Sequence, residues 1–191
     1  RAQCASEVWV VPDDLFASLS ALESPAKMGF LMTLPHARAI DPLATTVVLD
    51  RLQDAGNVGA ILRCASAFGF QQVLAIKGTA GLWSPKVLRA GMGAHFGLNL
   101  IDMASLEDIQ KLKVPLLGTD VHEGPYLHQL VQQKKLPRQC AWVMGHEGQG
   151  VSSELMALVQ QKVRIAQPGG EESLNVATAA AICFHASATV D

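Results

Sequence analysis

A surplus of charge of either sign is missing from this sequence: 15 Lys and Arg stand against 17 Asp and Glu, for a formal net charge of −2. A free-standing nucleic-acid binder usually carries a global basic signature, so any polyanion would have to be held by local clusters. No CxxC pair occurs among Cys4, Cys64, Cys140 and Cys183, and no histidine stands at zinc-ligand spacing from them. That excludes the common zinc modules and leaves buried free thiols of a cytosolic chain as the expectation, with no metal. No apolar run is long enough to span a bilayer, and the first residues lack a basic-then-apolar signal pattern. A soluble, cytoplasmic protein with no membrane partner is therefore expected. GxxxxGK[ST] is also absent, which argues against a P-loop nucleotidase. The nearest approach to GxGxxG, from Gly91 to Gly97, has its third glycine one place late and closes an expected helix rather than opening one. Internal repeats and low-complexity tracts are missing as well.

What is present is apolar and alternating. Hydrophobic residues make up 49% of the 191, enough for a core that buries roughly 70% of the unfolded chain's surface. One main domain is expected, with room for a fragment of a second. Residues 8 to 34 read as a strand (VWVV), a helix (PDDLFASLSALES) and a strand (GFLMTL), followed by a linker from Pro35 to Pro42. A unit of that size closes no good core alone, and its abrupt start reads as a piece of a longer polypeptide. From Thr45 onward strands and helices alternate. TTVVLD is followed by a helix over 57–68, QQVLAI by a helix over 84–94, and a strand over 98–101 by a helix over 105–112. VPLLGTD, CAWVMG, the helix SSELMALVQ, the strand VRIA and an alanine-rich final helix complete the series. Near-continuous apolar strands separated by helices predict an α/β fold, its parallel sheet covered on both faces.

In such sheets ligands bind beyond the carboxyl ends of the strands. Three polar, glycine-bearing loops are expected there: LDRLQDAGNVGA, GHEGQGVSS and AQPGGEESLN. In the first, Asn57 is either a helix cap or a site residue. Arg63, on an otherwise apolar helix, either pairs with a structural carboxylate or meets a ligand carboxylate or phosphate. In the third, Ser173 and Asn175 are caps or site residues. His146 beside Glu147 reads as a surface histidine, and His36, His95, His122, His128 and His185 share no spacing and read as structural. Lys86 with Arg89, and Lys134 and Lys135 with Arg138, are solvated faces or phosphate contacts.

Taken in order, the three loops resemble the SpoU or TrmH family of RNA 2'-O-ribose methyltransferases, within the SPOUT superfamily. The residues that carry the resemblance are DAGNVGAILRCASAFG (54–69), the glycine-rich run 145–150 after an apolar strand, and ESLNVATAAAI (172–182), with SPKVLRAGMGAHFGLNL between the first two. The likeness spans about residues 42 to 188. It departs at Ala55, where the family usually has Pro, at His146, usually Asn, and at Ile165-Ala166-Gln167, usually Ile-Pro-Met. The resemblance implies a Rossmann-like SPOUT methyltransferase domain over 42–191 with a C-terminal trefoil knot, preceded in residues 1–36 by the end of an accessory RNA-substrate-binding domain. It implies S-adenosylmethionine as methyl donor, with cofactor contacts at Gly145, Ile165, Gln167 and Leu174. It implies catalytic roles for Arg63, Asn57, Glu147, Ser173 and Asn175, and RNA contacts by Arg63, Lys86 and Arg89. The substrate implied is tRNA or rRNA, and the assembly a homodimer. Arginine is too weak an acid to surrender its proton readily, so the residue chemistry favours Arg63 as an orienting and charge-stabilising group. A catalytically weak or silent RNA-binding homologue is the alternative, because His146 and the altered 165–167 loop touch the expected cofactor pocket. An oxidoreductase rests only on the imperfect glycine run at Gly91.

Overall fold

The structure, a computed structural model, describes residues 5–19, 26–36, 38–169 and 173–190. The chain divides into two compact units, 1–36 and 37–191. In the first, α1 (Asp13–Leu19) opens with Asp13 and Asp14, where carboxylates meet the free N–H groups of a helix start. Lys27 Nζ pairs with Asp13 Oδ2 at 2.6 Å on the surface. The strands expected at VWVV and GFLMTL do not form. A strand needs a neighbour to take up its N–H and C=O groups, and among the described residues of this unit there is none. Trp9, Val10, Phe30 and Leu31 are instead exposed. The second half of the expected helix lies in 20–25, outside the described residues.

The second unit is built on six parallel strands: β1 (Thr46–Leu49), β2 (Gln72–Ile76), β3 (Asn99–Ala104), β4 (Leu116–Thr119), β5 (Ala141–Met144) and β6 (Gln161–Val163), in the order β3-β2-β1-β5-β4-β6. Alternate side chains of one strand feed two separate cores. Val47 and Leu49 of β1, with Trp142 and Met144 of β5, enter one. Val48, Ala141 and Val143 enter the other. On the first face lie α2 (Ala55–Ala67), α3 (Pro85–Gly91), α5 (Leu127–Gln132) and α7 (Val176–Ala188), contributing Ile61, Leu62, Val87, Leu130 and Phe184. On the other lie α4 (Leu106–Gln110) and α6 (Ser153–Met156), through Ile109 and Leu155. Trp142, wholly buried in the larger core, places its Nε1–H on Ser187 Oγ at 2.9 Å, so the final helix is keyed to the sheet by a hydrogen bond as well as by apolar contact.

Several boundaries differ from expectation for identifiable reasons. The cap of α2 is Asp54, whose Oδ1 accepts the N–H of Asn57 at 2.7 Å, so the helix begins at Ala55 and frees the Asn57 side chain. The helix expected over 84–94 stops at Gly91 because Met92 (φ 49°) and Gly93 (φ 90°) turn left-handed; a 3₁₀ turn, Ala94–Gly97, follows. The strand expected at VRIA lies earlier, at Gln161–Val163. Of that run Val163 stays in β6, paired with Thr119, Arg164 keeps an isolated bridge to Tyr126, and Ile165 has left the sheet. α5 was not expected at all, although Leu127, Leu130 and Val131 carry helical spacing. Cys140 and Cys183 are buried and free as expected, while Cys64 is only half-buried; Cys4 lies outside the described residues. Burial pushes the Cys140 thiol up to about 11 and raises Cys183 as well, so both are inert.

β1 and β5 are neighbours at the centre of the sheet, yet the chain leaves β1 toward β2 on one side and returns from β5 toward β6 on the other. Loops that diverge in this way leave a crevice at the strands' carboxyl ends.

Candidate active site at the carboxyl end of the sheet

That crevice holds a cleft of about 280 Å³, lined by Thr119 at the end of β4, the 145–151 loop after β5, and Ser173, Leu174, Asn175 and Val176 at the start of α7. It sits just below the roughly 300–1,000 Å³ common for small-molecule sites. Gly145 is required by the path of its own loop: a Cβ there would lie 2.3 Å from Val151 N and 2.4 Å from the Gly150 carbonyl carbon. The loop closes on itself where His146 and Gly150 exchange backbone hydrogen bonds of 3.0 and 2.8 Å. His146 Nδ1 accepts the N–H groups of Gly148 (3.0 Å) and Gln149 (3.2 Å), so this half-buried ring braces the turn.

The first loop joins the cleft through a chain of amides. Asn57 Nδ2 donates to Glu147 Oε1 at 3.2 Å, and Asn175 Nδ2 donates to Asn57 Oδ1 at 3.0 Å. Asn175 Oδ1 in turn accepts the N–H groups of Ala177 and Thr178 as the cap of α7. Asn175 is therefore both a cap and a member of the cluster, while Asn57 is no cap. Glu147 also accepts from the backbone N–H of Asp54 (3.3 Å) and Gln53 (3.5 Å). Partial burial is the largest single influence on its carboxyl and pushes the pKa up. Its own N–H, Asn57, Asp54 and Gln53 together outweigh that and hold it below the ordinary carboxylate value. Glu147 is thus ionised at neutral pH, and it is bonded to Asn57 and the backbone rather than to Arg63.

A second brace was not legible in the sequence. Asp50, 1% exposed at the end of β1, accepts Ser152 N–H at 2.6 Å and Arg51 Nε at 3.0 Å. Arg51, in the left-handed region at φ 58°, reaches Gln149 Oε1 at 3.1 Å with Nη1. A buried carboxylate that ends a central strand was the available signal, since such a group must be paired. Thr119 was likewise missed.

The other candidates lie apart from the cleft. Ile165 packs against the larger core, and neither it nor Gln167 is among the cleft-lining residues. Gln167 Oε1 is buried without a hydrogen bond among the described residues. Arg63, Lys86 and Arg89 are exposed on α2 and α3, without ion pairs among the described residues.

The chemistry of the lining narrows the ligand. Among the described lining residues Glu147 is the sole charged side chain and no Lys or Arg appears, so a phosphate-rich nucleotide has no counter-charge. Leu174, Val151 and Val176 supply apolar wall, and the loop and helix start supply backbone donors and acceptors. An amphipathic ligand bearing positive charge fits this set.

Comparison with known proteins gives the class to which this parallel sheet, with its bent loops and amide cluster, belongs: the RNA methyltransferases. Residues 44–185 match the model of the SpoU rRNA Methylase family, and the chain belongs to that family. It is 29% identical over 185 residues to the 23S rRNA (guanosine(2553)-2'-O)-methyltransferase RlmP of Bacillus subtilis, covering 94% of this chain and 71% of that protein. The crystal structure of an RNA 2'-O ribose methyltransferase superposes with a TM-score of 0.71 at 29% identity, over 92% of this chain and 69% of the other. An AdoMet-bound rRNA methyltransferase from Sinorhizobium meliloti superposes with a TM-score of 0.68 at 27% identity, over 78% of this chain and 57% of the other. The chain spans 60% of the length of the RlmB proteins of Bordetella pertussis and Bordetella parapertussis that it matches, and less of the mitochondrial rRNA methyltransferases 3.

Proposed function

We propose that this protein methylates a ribose 2'-hydroxyl of tRNA or rRNA, with S-adenosylmethionine held in the cleft between the 145–151 loop and the start of α7. The observation that carries this reading is the Glu147–Asn57–Asn175 chain, which ties three separate loops around a cleft that holds a carboxylate and no cation. Bound there, the cofactor supplies an electrophilic methyl group on a positively charged sulfur. Leu174 and the backbone of Gly145 wall the pocket, and Ser173 offers a hydroxyl at its rim. Ile165 and Gln167 act from behind, the first by packing the loop against the core and the second through its buried amide oxygen. Glu147, ionised and fixed by its hydrogen bonds, sets negative potential at the cleft without needing to move. Arg63 meets the RNA, orienting the nucleotide phosphate and stabilising the alkoxide that develops on the ribose oxygen. Lys86 and Arg89 contribute further phosphate contacts.

The family resemblance supports three further parts of this reading. The C-terminal loops are threaded as a trefoil knot. Two copies pair, which doubles the few local basic clusters of a chain with net charge −2. Residues 1–36, in which Trp9, Val10, Phe30 and Leu31 are exposed, close an accessory substrate-binding domain. With no helix among the described residues long and apolar enough to cross a membrane, the cytoplasm is the compartment proposed.

Titration calorimetry with S-adenosylmethionine, paired with transfer of radiolabelled methyl to unmodified rRNA and tRNA transcripts, tests the proposal. Saturable heat and ribose-linked label are expected. A folded protein that gives no heat at millimolar cofactor would be an RNA-binding homologue without the activity.

A further inference from the structure

Between Asp54 and Asp102 the chain contains no Asp or Glu at all, yet it holds Arg63, Lys77, Lys86 and Arg89. In a chain whose acidic residues outnumber its basic ones, this segment is a positively charged region by exclusion. The fold gathers much of it along one seam. At one end of the seam a Cβ on Gly59 of α2 would lie 2.3 Å from Ala90 Cβ, so α2 and α3 touch backbone to backbone. At the other end a Cβ on Gly97 would lie 3.7 Å from Ser66 Oγ of the same helix. Arg63 falls between Gly59 and Ser66 at the four- and three-residue spacings that share a helix face. Its exposed guanidinium therefore emerges beside α3 and the 94–97 turn.

That turn presents an aromatic ring. Phe96 is 60% exposed, and its ring centroid lies 6.3 Å from that of Trp83, which in turn lies 5.3 Å from buried His95. A ring held from behind by a second aromatic and open in front is a preformed stacking surface. It loses little rotamer freedom when a ligand lands on it. Lys86 lies three residues beyond Trp83, in the first turn of α3. The region thus combines an open aromatic ring with neighbouring cations, and the nearby Asp102 carboxylate is engaged by the Leu82 N–H at 3.2 Å. An open ring beside cations is the pairing that single-stranded nucleic acid requires: bases stack and phosphates are neutralised.

We propose that the seam between α2 and residues 83–97 is a single-strand RNA track, in which Phe96 stacks an unpaired base and Arg63 and Lys86 hold the adjoining phosphates. The proposal rests on the RNA reading above and adds to it a strandedness: the substrate is engaged where its bases are splayed, since a paired base has no free face to offer Phe96. Duplex RNA meets only the cations.

The test uses the full chain with a fluorescein-labelled 12-nucleotide oligouridylate and a blunt RNA duplex of the same length, against wild type, Phe96→Leu and Phe96→Tyr. Leucine keeps the apolar bulk and loses the π face; tyrosine keeps both. Phe96→Leu should weaken single-strand binding by about ten-fold or more and leave duplex binding within about two-fold, while Phe96→Tyr binds like wild type. Lys86→Ala should instead weaken both strands and flatten the salt dependence of single-strand binding by roughly 0.7 of a counterion. Equal affinity of Phe96→Leu and wild type for oligouridylate, or equal losses on both RNAs, would overturn the track. If the Phe96 variants match wild type while methyl transfer to rRNA persists, the track alone has failed. If wild type binds neither RNA and transfers no methyl, the functional reading has failed with it.

Discussion

The two ends of α2 are built on opposite plans. At its N-terminus every polar side chain is spent inside the protein: Asp54 caps the helix, and Asn57 is held on one side by Glu147 and on the other by Asn175. Two turns on, Arg63 is exposed and has no partner among the described residues. A group bonded on all sides can hold a cleft in shape but has nothing left for a mobile substrate. A charged group with no internal partner keeps its full interaction for a ligand. On the function proposed above, one helix separates cofactor geometry from RNA engagement along its own length.

The largest expected effect tests that separation directly. Arg63→Ala should lower single-turnover methyl transfer to rRNA by about 10²–10³-fold, the usual loss when one transition-state donor is removed. S-adenosylmethionine affinity, read by calorimetry, should stay within about two-fold. A matching loss of cofactor affinity would show that the two ends act as one site and break the comparison.

Asn57→Ala attacks the other end and should reverse the pattern. It leaves the Asn175 amide N–H without its acceptor and takes from Glu147 Oε1 one of two donors, the other being the Asp54 N–H. It should cost about 1–2 kcal/mol of stability, because the groups are partly solvated and water replaces some of what is lost. Cofactor affinity should fall by about ten-fold as the three loops lose their common tie. Glu147, with one of its donors gone, should titrate closer to the ordinary carboxylate value than in the wild type, which NMR of the carboxyl carbon would register. An unchanged cofactor affinity would reduce the amide chain to a structural ornament of the helix start.

The sequence exposed the sheet and its three loops well, because strand burial on both faces leaves an unbroken apolar signature in residues such as Val47, Val48 and Leu49. It exposed the cluster only through resemblance. Asn57 alone is indistinguishable from a cap, and what frees it is Asp54 three residues earlier, a choice settled by hydrogen-bond geometry rather than residue type. The Asp50–Arg51 brace was hidden for another reason: its partners, Gln149 and Ser152, lie about a hundred positions away and meet it only once β1 and β5 are neighbours. The 8–34 strands failed because apolar composition proposes a strand, while only a pairing partner makes one. Met92 broke the helix over 84–94 by adopting a left-handed conformation, which no side-chain preference of methionine announces.

The smallest effect concerns pH, and it too should separate the two ends. Buried His95 packs behind the 94–97 turn, its Nε2 on the Leu82 carbonyl at 2.9 Å and its Nδ1 unpaired among the described residues. Burial is the main cause that lowers its pKa from 6.5, and the bond to Leu82 offsets only part of that. The unfolded chain therefore takes up this proton more readily than the folded one. The ring's contribution to stability is complete above pH 6.5 and is lost as pH falls from there through its folded pKa, with a slope of at most about 1.4 kcal/mol per pH unit. Glu147 behaves differently: its pKa is already below 4.5, so the amide chain it anchors persists until the solution is more acidic still. Lowering the pH from 7 to 5 should reduce the thermal midpoint by a few degrees and weaken oligouridylate binding, with cofactor binding unmoved. His95→Gln, which still donates to Leu82 but takes no proton, should flatten the thermal slope over that range. A thermal midpoint that is level from pH 7 to 5 in the wild type, or equally sloped in His95→Gln, would place the acid-sensitive group elsewhere and remove the seam's separate threshold.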